Sequence, residues 1–548
     1  MQIVIPMSGF GERFRKAGYS IPKPLIEVEG KPIIAHVIDM FKNENNFIFI
    51  CNEDHLSNKD YKMREIINKF CPKAQIIGIS PHKLGPVYAV SKIFNLLKLD
   101  EPVIVNYCDF TCYWDWNHFK DWVISSDCQG AIPSYKGFHP HSLGKTNYAY
   151  LKDSNGEVLD IQEKTPFTNN KMNEYASSGT YYFSSGRILV DSFKDLMKND
   201  LNINGEYYVS LCYKSIIKSG KKVLVYPLQH FMQWGTPEDL NEYNNWSRTF
   251  SNLISRKKTI QNPSGVIVMP MAGLGSRFKK EGYKLTKPLI SVSGKTMVEQ
   301  SLNHLPKSLK QVFIIRKDMS GVNSIKRELK KKYPNSSTVT IDGITDGQAS
   351  TALVGLKELD SKENINGPIT FGACDNGVIY DQNKYSQLLS NPDIDIIVWG
   401  IRGYPNSIRN PKMYGWIEEC NGIIKSISVK KELKNPKNDP IVIGTFTFRN
   451  SNYYYNAYSD LQKRNGKVNN EFYIDELIND AIKLGLRCEF FEVESYLCWG
   501  TPNDLKTFEY WQSCFHKWNG HPYNLKLDKT VASEKLKFIK GKYESWEF

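Results

Sequence analysis

Short apolar segments alternate with amphipathic segments along the first part of the chain. Four apolar segments are rich in branched residues and predict strands that begin at Ile3 (IVIP), Phe47 (FIFIC), Gln75 (QIIGIS) and Val103 (VIVNY). Between the first two, KPIIAHVIDMF has the apolar spacing of an amphipathic helix, with Pro32 near its first turn. This alternation predicts an α/β fold in which helices flank both faces of a mainly parallel sheet. Ligands then bind at the carboxyl ends of the strands.

The pattern occurs twice in the chain. PMSGFGERFRKAGYSIPKPLI begins at Pro6, and PMAGLGSRFKKEGYKLTKPLI begins 264 positions later, at Pro270. Asp109 and Asp375 each follow a later apolar segment and lie 266 positions apart. Two long copies, each large enough to bury a core, predict tandem domains rather than a solenoid.

The repeat sets the predicted domain boundaries. We predict a first domain over residues 1–245, a linker over 246–263, a second domain over 264–510 and a basic, aromatic extension over 511–548. The linker segment is polar and ends in Pro-Ser-Gly, which favours a helix followed by an exposed connection. The extension has no counterpart after the first copy.

Composition narrows the function classes. Hydrophobic residues make up 41% of the chain, yet no run of about 18 apolar residues predicts a membrane span. The first residues lack the pattern of a signal peptide, and the 11 cysteines form no CxxC pair, so we expect reduced thiols and a cytoplasmic protein. The net charge of +13 suits anionic small substrates, and the absence of a nucleic-acid-binding motif argues against nucleic acid as a partner.

The repeated glycine turn is the first candidate for chemistry. Gly9 and Gly11 follow the first predicted strand, where glycine allows a tight turn and lets backbone amides approach a phosphate. Arg13 and Lys23 then add cations. The third glycine of a dinucleotide-binding motif is absent, and the chain has no GxxxxGK[ST] loop. Two glycines, an arginine, a lysine and a strand-terminal aspartate, found twice, predict a site for a phosphorylated ligand in each copy.

These motifs carry a family resemblance. GxGxRF, followed by PKPLI and later by a strand that ends in Asp, resembles the nucleotidylyltransferases known as nucleotide-diphospho-sugar pyrophosphorylases. The resemblance covers both copies and implies two tandem GT-A-like Rossmannoid domains. It also implies a reaction in which the phosphate oxygen of a sugar phosphate, or of a similar phosphate monoester, attacks the α-phosphorus of a nucleoside triphosphate and releases pyrophosphate.

The resemblance implies roles for named residues. The nucleotide-binding residues would be Ser8, Gly9, Gly11 and Gly85 in the first copy, and Ala272, Gly273, Gly275, Gly347 and Gln348 in the second. The cations that contact phosphates and support catalysis would be Arg13, Lys23 and Lys164, with the counterparts Arg277, Lys287 and Lys430. The acceptor would contact Glu163, Gly179 and Gly444, and Mg²⁺ would bind at Asp109 and Asp375.

The copies differ at the acceptor and metal positions. Glu163 aligns with Val429. Many relatives place a second metal-binding aspartate two residues before the late Gly-Thr, where this chain has Gln233 and Cys498, and a thiol is a poor ligand for magnesium. We therefore predict that the first copy is active, and that the second acts on a different substrate or has become a scaffold.

Three function classes fit the sequence. The favoured one is a nucleotidyltransferase with one or two sites that makes an activated precursor for surface polysaccharide. The alternatives are a glycosyltransferase of related fold and a nucleotide-sugar-binding protein without turnover. The Asp-x-Asp metal motif of many glycosyltransferases is absent beside Asp109 and Asp375, and the pairing of Arg13 with Lys23 suits a triphosphate better.

Overall fold

Each half of the chain folds around its own large sheet in the computed structural model, which describes residues 1–255, 261–362 and 367–545. Contacts divide these residues into two compact units. The first unit contains Met1–Asn244, Lys517–His521, Glu544 and Ser545. The second unit contains Asn245–His516 and Pro522–Tyr543.

The first half contains fourteen strands and nine α-helices. The strands are β1 Gln2–Met7, β2 Glu27–Val28, β3 Lys31–Pro32, β4 Phe47–Asn52, β5 Gln75–Ile79, β6 Val103–Asn106, β7 Phe110–Tyr113, β8 Gly130–Tyr135, β9 Ala149–Ser154, β10 Glu157–Glu163, β11 Tyr175–Ser177, β12 Thr180–Phe183, β13 Val223–Pro227 and β14 His230–Gln233. The helices are α1 Glu12–Lys16, α2 Ile33–Asp39, α3 Glu53–Ser57, α4 Met63–Phe70, α5 Gly85–Ser91, α6 Trp116–Ser125, α7 Gly186–Lys198, α8 Val209–Lys218 and α9 Pro237–Ser255.

The described part of the second half contains thirteen strands and ten α-helices. The strands are β15 Gln261–Pro270, β16 Ser291–Val292, β17 Lys295–Thr296, β18 Lys307–Arg316, β19 Ser337–Ile341, β20 Ile369–Phe371, β21 Asn376–Ile379, β22 Ile396–Ile401, β23 Gly415–Cys420, β24 Ile423–Val429, β25 Ile441–Phe448, β26 Cys488–Glu492 and β27 Ser495–Cys498. The helices are α10 Ser276–Lys280, α11 Met297–His304, α12 Val322–Lys332, α13 Gln348–Lys362, α14 Gln382–Ser390, α15 Pro405–Arg409, α16 Ser451–Lys463, α17 Ile474–Lys483, α18 Pro502–Lys517 and α19 Leu536–Glu544.

The large sheet of the first unit has a parallel half and a mixed half. Its strand order is β11-β9-β10-β13-β8-β12-β6-β1-β4-β5. The four strands predicted from the sequence are β1, β4, β5 and β6, and they form the parallel half, in which Ile3 lies opposite Phe47 on one side and Ile104 on the other. Strand β12 runs antiparallel to β6 and begins the mixed half. The predicted α/β fold class is confirmed, although only one half of the sheet is parallel.

The sheet of the second unit repeats this order. Read from the edge strand β23, it runs β23-β24-β26-β22-β25-β20-β15-β18-β19. Strand β25 pairs with β20, β22 and β23, and so makes the pairings that β11 and β12 divide between them in the first unit. The two units therefore place equivalent strand ends at equivalent positions within each sheet.

Helices cover the sheets because their apolar faces need burial. In the first unit, Val4 and Val105 on the sheet pack in one cluster with Val90 of α5 and Phe193 of α7, and all four side chains are fully buried. Each such side chain stabilises the fold by roughly 1.5–3 kcal/mol relative to an exposed one. None of the described helices is both long and apolar enough to cross a membrane.

The predicted connecting segments are partly helical. The predicted linker 246–263 is helical as far as Ser255, residues 256–260 lie outside the described residues, and β15 begins at Gln261. The predicted extension 511–548 begins inside α18 and continues to α19, while 546–548 lie outside the described residues. The 11 cysteines are all described, and each is a free thiol.

Candidate active site

The turn after β1 forms one wall of a cavity of about 590 Å³. Gly11 ends this turn with φ 63° and is the N-cap of α1, and only glycine adopts this left-handed backbone conformation without strain. The short helix α1 carries Arg13, which lines the cavity together with Ser8 and Gly9. The glycine turn thus brings backbone amides and a guanidinium to the same wall.

A lysine and an aspartate form an ion pair in the lining of this cavity. Lys23 Nζ lies 2.8 Å from Asp109 Oδ2, and both side chains are about one quarter exposed, at 23% and 25%. Burial lowers the pKa of Lys23, but the Asp109 carboxylate outweighs it, so the pKa of Lys23 is raised and the amine stays charged. Gly235 lies beside this pair, and a Cβ built there would come 3.1 Å from Asp109 Oδ2. The pair therefore has a charged, partly open face toward the cavity.

A second lysine reaches the cavity from the end of β10. Lys164 has a φ of 60°, and its backbone N–H donates to Tyr148 O at 2.8 Å. Its Nζ donates to the Tyr208 hydroxyl at 2.5 Å and lies 4.4 Å from the centre of that ring. The Tyr208 hydroxyl in turn donates to the Glu206 carboxylate. Tyr208 and Glu206 therefore aim the ammonium group into the cavity.

Glu163 is the acidic group at the same end of the cavity. Its side chain is buried, and Ser210 Oγ donates to Glu163 Oε2 at 2.5 Å. Burial raises the pKa of Glu163 to about 7. Glu163 and Asp109 also line an adjoining cavity of about 140 Å³, where Gly179 forms part of the wall. This smaller space extends the site beyond the two lysines.

Two predicted glycines are explained by close backbone approach. Gly85 has a φ of 84°, and a Cβ there would lie 2.7 Å from both N and O of Tyr207. Gly179 has a φ of 100°, and a Cβ there would lie 3.0 Å from the Tyr107 ring. A larger residue at either position would displace its neighbour from the wall of the cavities.

Every candidate of the first copy lies around these two cavities. The larger cavity is lined by Ser8, Gly9, Gly11, Arg13, Lys23, Gly85, Asp109, Glu163 and Lys164, and the smaller one by Gly179. Sequence analysis missed Tyr107, Asn147, Glu206 and Tyr208, which also line the larger cavity. Asn147 opens a stretch that has a counterpart in the second copy, so a repeat comparison could have found it. The remaining three carry no local motif.

The second unit repeats the charged pair. Lys287 Nζ lies 2.5 Å from Asp375 Oδ2, and the two side chains have the same exposed fractions, 23% and 25%, as the first pair. The backbone N–H of Trp499 donates to the backbone oxygen of Asp375 at 2.8 Å, as the backbone N–H of Trp234 does to that of Asp109 at 2.8 Å. The pKa of Lys287 is lowered by burial and raised more strongly by Asp375, so it is raised overall.

The glycine turn is also repeated in the second unit. Gly275 has a φ of 61° and caps α10, the helix that carries Arg277. Ala272 and Gly273 lie in this turn, where Arg316 Nη1 donates to Ala272 O at 2.5 Å. In the first unit Asn52 ends β4 as Arg316 ends β18, and Asn52 Nδ2 donates to Ser8 O at 3.4 Å.

The remaining second-copy candidates lie at three backbone features. Gly347 has a φ of 119° and precedes Gln348, the first residue of α13, and a Cβ at Gly347 would lie 2.7 Å from N and O of Phe472. Gly444 has a φ of 76° within β25. Lys430 has a φ of 61°, and its backbone N–H donates to Tyr414 O at 3.0 Å, as Lys164 does to Tyr148.

The environment of Lys430 differs from that of Lys164. Its Nζ donates to Met413 O at 2.6 Å and lies 5.5 Å from the centre of the Tyr473 ring. Burial lowers the pKa of Lys430, and Arg277 lowers it further. Val429 supplies no carboxylate beside it. The glycine turn and the lysine–aspartate pair are thus repeated in the second unit, whereas the surroundings of the second lysine differ.

The residues around Asp109 suit a hard cation better than those around Asp375. Among the described residues, no three His, Cys, Asp or Glu side chains are grouped to hold a metal ion. Beside Asp109, Gln233 Nε2 donates to Asp239, while Gln233 Oε1 is buried without a hydrogen-bond partner. One carboxylate and one amide oxygen, with phosphate and water oxygens, fit Mg²⁺. Beside Asp375 lies Cys498, whose pKa burial raises well above its usual value.

Comparison with known proteins gives a family match over the first unit. Residues 3–244 match the family model described as nucleotidyl transferase. The chain is 25% identical over 235 residues to the bifunctional protein GlmU of Staphylococcus epidermidis, a match that covers 42% of this chain and 48% of that protein. It is 26% identical over 189 residues to the mannose-1-phosphate guanylyltransferase catalytic subunit beta of Dictyostelium discoideum, covering 34% and 50%. The chain thus spans about half the length of the curated relatives it matches.

A solved structure aligns with a similar share of the chain. The nucleoside-diphosphate-sugar pyrophosphorylase from Vibrio cholerae RC9 covers 44% of this chain and 99% of its own, with 20% identity and a TM-score of 0.37.

Proposed function

We propose that the first unit, which matches a nucleotidyl transferase family model over residues 3–244, transfers a nucleoside monophosphate from a nucleoside triphosphate to a phosphate monoester and releases pyrophosphate. The observation that carries the proposal is the convergence of Arg13, Lys23 and Lys164 on one cavity that also contains Asp109. These three cations, with Lys83 on the same cavity of about 590 Å³, suit two phosphorylated substrates that must be brought together.

The glycine turn and Arg13 bind the triphosphate in this proposal. Backbone amides of Gly9 and Gly11 and the planar guanidinium of Arg13 offer donors to phosphate oxygens. Lys23 neutralises charge that develops on the phosphate being transferred, and this contact is stronger in the transition state than in the ground state. No covalent nucleophile is needed, because the acceptor's phosphate oxygen attacks the α-phosphorus directly.

Magnesium belongs to the proposal through Asp109. Asp109, with the Gln233 amide oxygen, would hold Mg²⁺, which neutralises triphosphate charge when bound. Lys23 Nζ lies 2.8 Å from the same carboxylate and orients it at the strand end.

The acceptor binds at the other end of the cavity. Lys164 contacts its phosphate, and Glu163 accepts hydrogen bonds from its hydroxyl groups when ionised. The name mannose-1-phosphate guanylyltransferase states that this relative uses a sugar phosphate, which supports a sugar phosphate as the acceptor here. We further propose that the activated product is made in the cytoplasm and supplies surface polysaccharide synthesis.

The test is pyrophosphate release by the full chain, measured for the four nucleoside triphosphates against a panel of sugar 1-phosphates and alditol phosphates. We expect one pair of substrates to react with Mg²⁺ present and the reaction to stop when Mg²⁺ is chelated. Turnover of a nucleotide sugar without pyrophosphate release would instead identify a glycosyltransferase. Nucleotide binding without any turnover would identify a binding protein.

A further inference from the structure

In each unit, one pair of opposed residues at the end of β10 or β24 faces the first turn of a helix. We call this residue pair the rung. In the first unit, Glu163 at the end of β10 lies opposite Ala149 at the start of β9. Ser210, the second residue of α8, faces this rung and donates to Glu163 Oε2 at 2.5 Å. The helix therefore supplies a hydroxyl, and the strand supplies the carboxylate that lines the acceptor end of the cavity.

The same rung in the second unit has the opposite arrangement. Val429 at the end of β24 lies opposite Gly415 at the start of β23, so the strand supplies no carboxylate. Asp475 is the second residue of α17, the position that Ser210 holds in α8. The acidic group has thus moved from the strand to the facing helix.

Gly415 makes this exchange possible. A Cβ built at Gly415 would collide with Asp475 Oδ2, so the carboxylate occupies the space that the methyl group of Ala149 fills in the first unit. The three differences at this rung, Ala149 to Gly415, Glu163 to Val429 and Ser210 to Asp475, therefore compensate one another. Such compensation keeps one carboxylate at the rung and changes the direction from which it enters.

The charges around Asp475 match those of a ligand site. Lys430 follows Val429 and lies near Asp475, yet its Nζ donates to Met413 O, and none of the described ion pairs joins the two side chains. Arg277 lies close enough to Lys430 to lower the pKa of that lysine. Burial raises the pKa of Asp475 to about 6, and Lys430 opposes this shift. An ionisable carboxylate held beside cations that it does not pair with directly is placed to receive donors from a ligand.

A neighbouring side chain is also smaller in the second unit. Tyr107 stands two residues before Asp109 and contacts the space above Gly179, where a Cβ would meet its ring at 3.0 Å. Ala373 stands two residues before Asp375, and a Cβ at Gly444 would lie 3.6 Å from its methyl group. Replacing a tyrosine ring by a methyl group removes bulk on the acceptor side.

We propose that Asp475 is a specificity-determining residue of a second binding site, which takes a phosphate monoester carrying hydroxyl or ammonium groups, with its phosphate on Lys430 and its donors on Asp475. The inference rests on the proposed function in one respect, since the role of Lys430 is that proposed for Lys164. The shorter carboxylate enters from the helix, and Ala373 replaces the tyrosine ring of Tyr107, so the preferred ester differs from that of the first unit.

The experiment measures binding of defined esters to the full chain carrying Asp109→Asn and Lys164→Ala, which remove the proposed metal and acceptor-phosphate contacts of the first unit and give the silenced chain. Isothermal titration calorimetry, with MgCl₂ and each α,β-methylene nucleoside triphosphate in turn, compares three probes that carry donors with one that does not. The former are glucose 1-phosphate, glycerol 1-phosphate and ethanolamine phosphate, and the latter is methyl phosphate. We expect at least one donor-bearing ester to bind more tightly than methyl phosphate, and Asp475→Ala to weaken it about tenfold without changing methyl phosphate binding.

Two further variants keep the test decisive if Asp475→Ala does not fold. Gly415→Ala places a methyl group where the carboxylate lies and should give the same loss with the charge intact. Val429→Glu combined with Asp475→Ser recreates the first-unit arrangement and should restore binding with an altered order of preference. Asp342→Ala removes a carboxylate whose side chain is 97% exposed and serves as the matched control, which should bind like the parent.

The proposal is overturned if Asp475→Ala and Gly415→Ala leave the preference for donor-bearing esters unchanged. It is overturned as well if they weaken the binding of methyl phosphate as much as that of the donor-bearing esters. It is also overturned if no ester binds to the silenced chain. Pyrophosphate release by the unsilenced chain is measured separately, so a failure of the proposed function is distinguished from a failure at Asp475.

Discussion

The first and second units hold a lysine and an aspartate in the same way but differ at the other end of the site. Lys23–Asp109 and Lys287–Asp375 have equal exposed fractions, and each aspartate carbonyl accepts from a tryptophan N–H at 2.8 Å. The acceptor end has Glu163 in one unit and Val429 in the other. The part of the site built on the glycine turn and strand ends is thus constant, and the part built between β10 or β24 and a distant helix varies.

This difference indicates which contacts the fold itself enforces. The charged pair joins the short helical segment that begins at Lys23 or Lys287 to the loop after β6 or β20, and these two strands pair in parallel with β1 and β15. The acceptor carboxylate needs only a position on the rung at the end of β10 or β24, which either a strand or a helix can supply. Specificity can therefore change there without disturbing the phosphate contacts.

Removing the lysine of each pair should give the largest difference between the units. We expect Lys23→Ala to lower kcat for pyrophosphate release about 10²- to 10³-fold, because its contact strengthens as charge develops. Lys287→Ala should leave the first-unit reaction within about twofold. Steady-state kinetics on the full chain measures both, and a loss confined to KM would show that Lys23 contributes only ground-state binding.

The second lysines should separate acceptor binding from nucleotide binding. Lys164→Ala removes a charge-assisted contact worth about 1.5–3 kcal/mol, so KM for the acceptor should rise roughly 10- to 100-fold. KM for the triphosphate should change little. Lys430→Ala is the matched control for this reaction, and an equal effect of both changes would contradict the assignment of the reaction to the first unit.

Gly85, the first residue of α5, and Gly347, which precedes α13, should respond alike, since their surroundings match. Gly85→Ala and Gly347→Ala each place a Cβ against backbone atoms at a positive φ, and should lower the free energy of unfolding by about 2 kcal/mol or more. Gly9→Ala, where a Cβ meets nothing within 4 Å, should cost less than about 1 kcal/mol. Urea unfolding followed by circular dichroism tests this, and an insensitive Gly85 would contradict the close approach to Tyr207.

Glu163 and Asp475 should give the smallest difference between the units, which is a difference in how kcat/KM depends on pH. Burial raises the pKa of Glu163 to about 7, with Lys164 opposing the shift and Glu206 adding to it, and raises that of Asp475 to about 6. If ionised Glu163 accepts hydrogen bonds from the hydroxyl groups of the sugar phosphate, kcat/KM should rise up to about tenfold as pH increases through about 7. Glu163→Gln should flatten the profile, while Asp475→Asn should leave it unchanged.

The same shift has a consequence for stability. The folded pKa of Glu163 lies above its usual value of 4.5, so folding binds a proton between these values. The contribution of protonated Glu163 is complete below about pH 4.5 and is lost as pH rises through about 7. Thermal melting should therefore show a smaller decline over this range for Glu163→Gln than for the unmodified chain, and equal declines would contradict the buried position.

The sequence predicted the strands of the parallel half because β1, β4, β5 and β6 are short and rich in branched residues, a pattern set by local composition. Strands β1, β4 and β6 are buried on both faces, whereas the edge strand β5 is partly exposed. It also predicted that Lys164 and Asp109 belong to one site, through a family resemblance rather than through spacing. It did not predict Tyr208, whose hydroxyl accepts from Lys164 across 44 positions of the chain, or Glu206, which accepts from Tyr208. No local motif marks such partners.

The amino-acid sequence by itself determined the duplication, the glycine turns and the cations, because repeats and left-handed turns are written in neighbouring residues. Only the tertiary structure decided which side chains share the rung at the acceptor end. Gly415 and Val429 are joined by strand pairing, whereas Asp475 lies 46 positions after Val429 and reaches the rung only because α17 packs on β24. Long-range packing sets that contact. From the replacement of Glu163 by Val429 the sequence predicted a different substrate or a scaffold, whereas the fold brings another carboxylate to the same place.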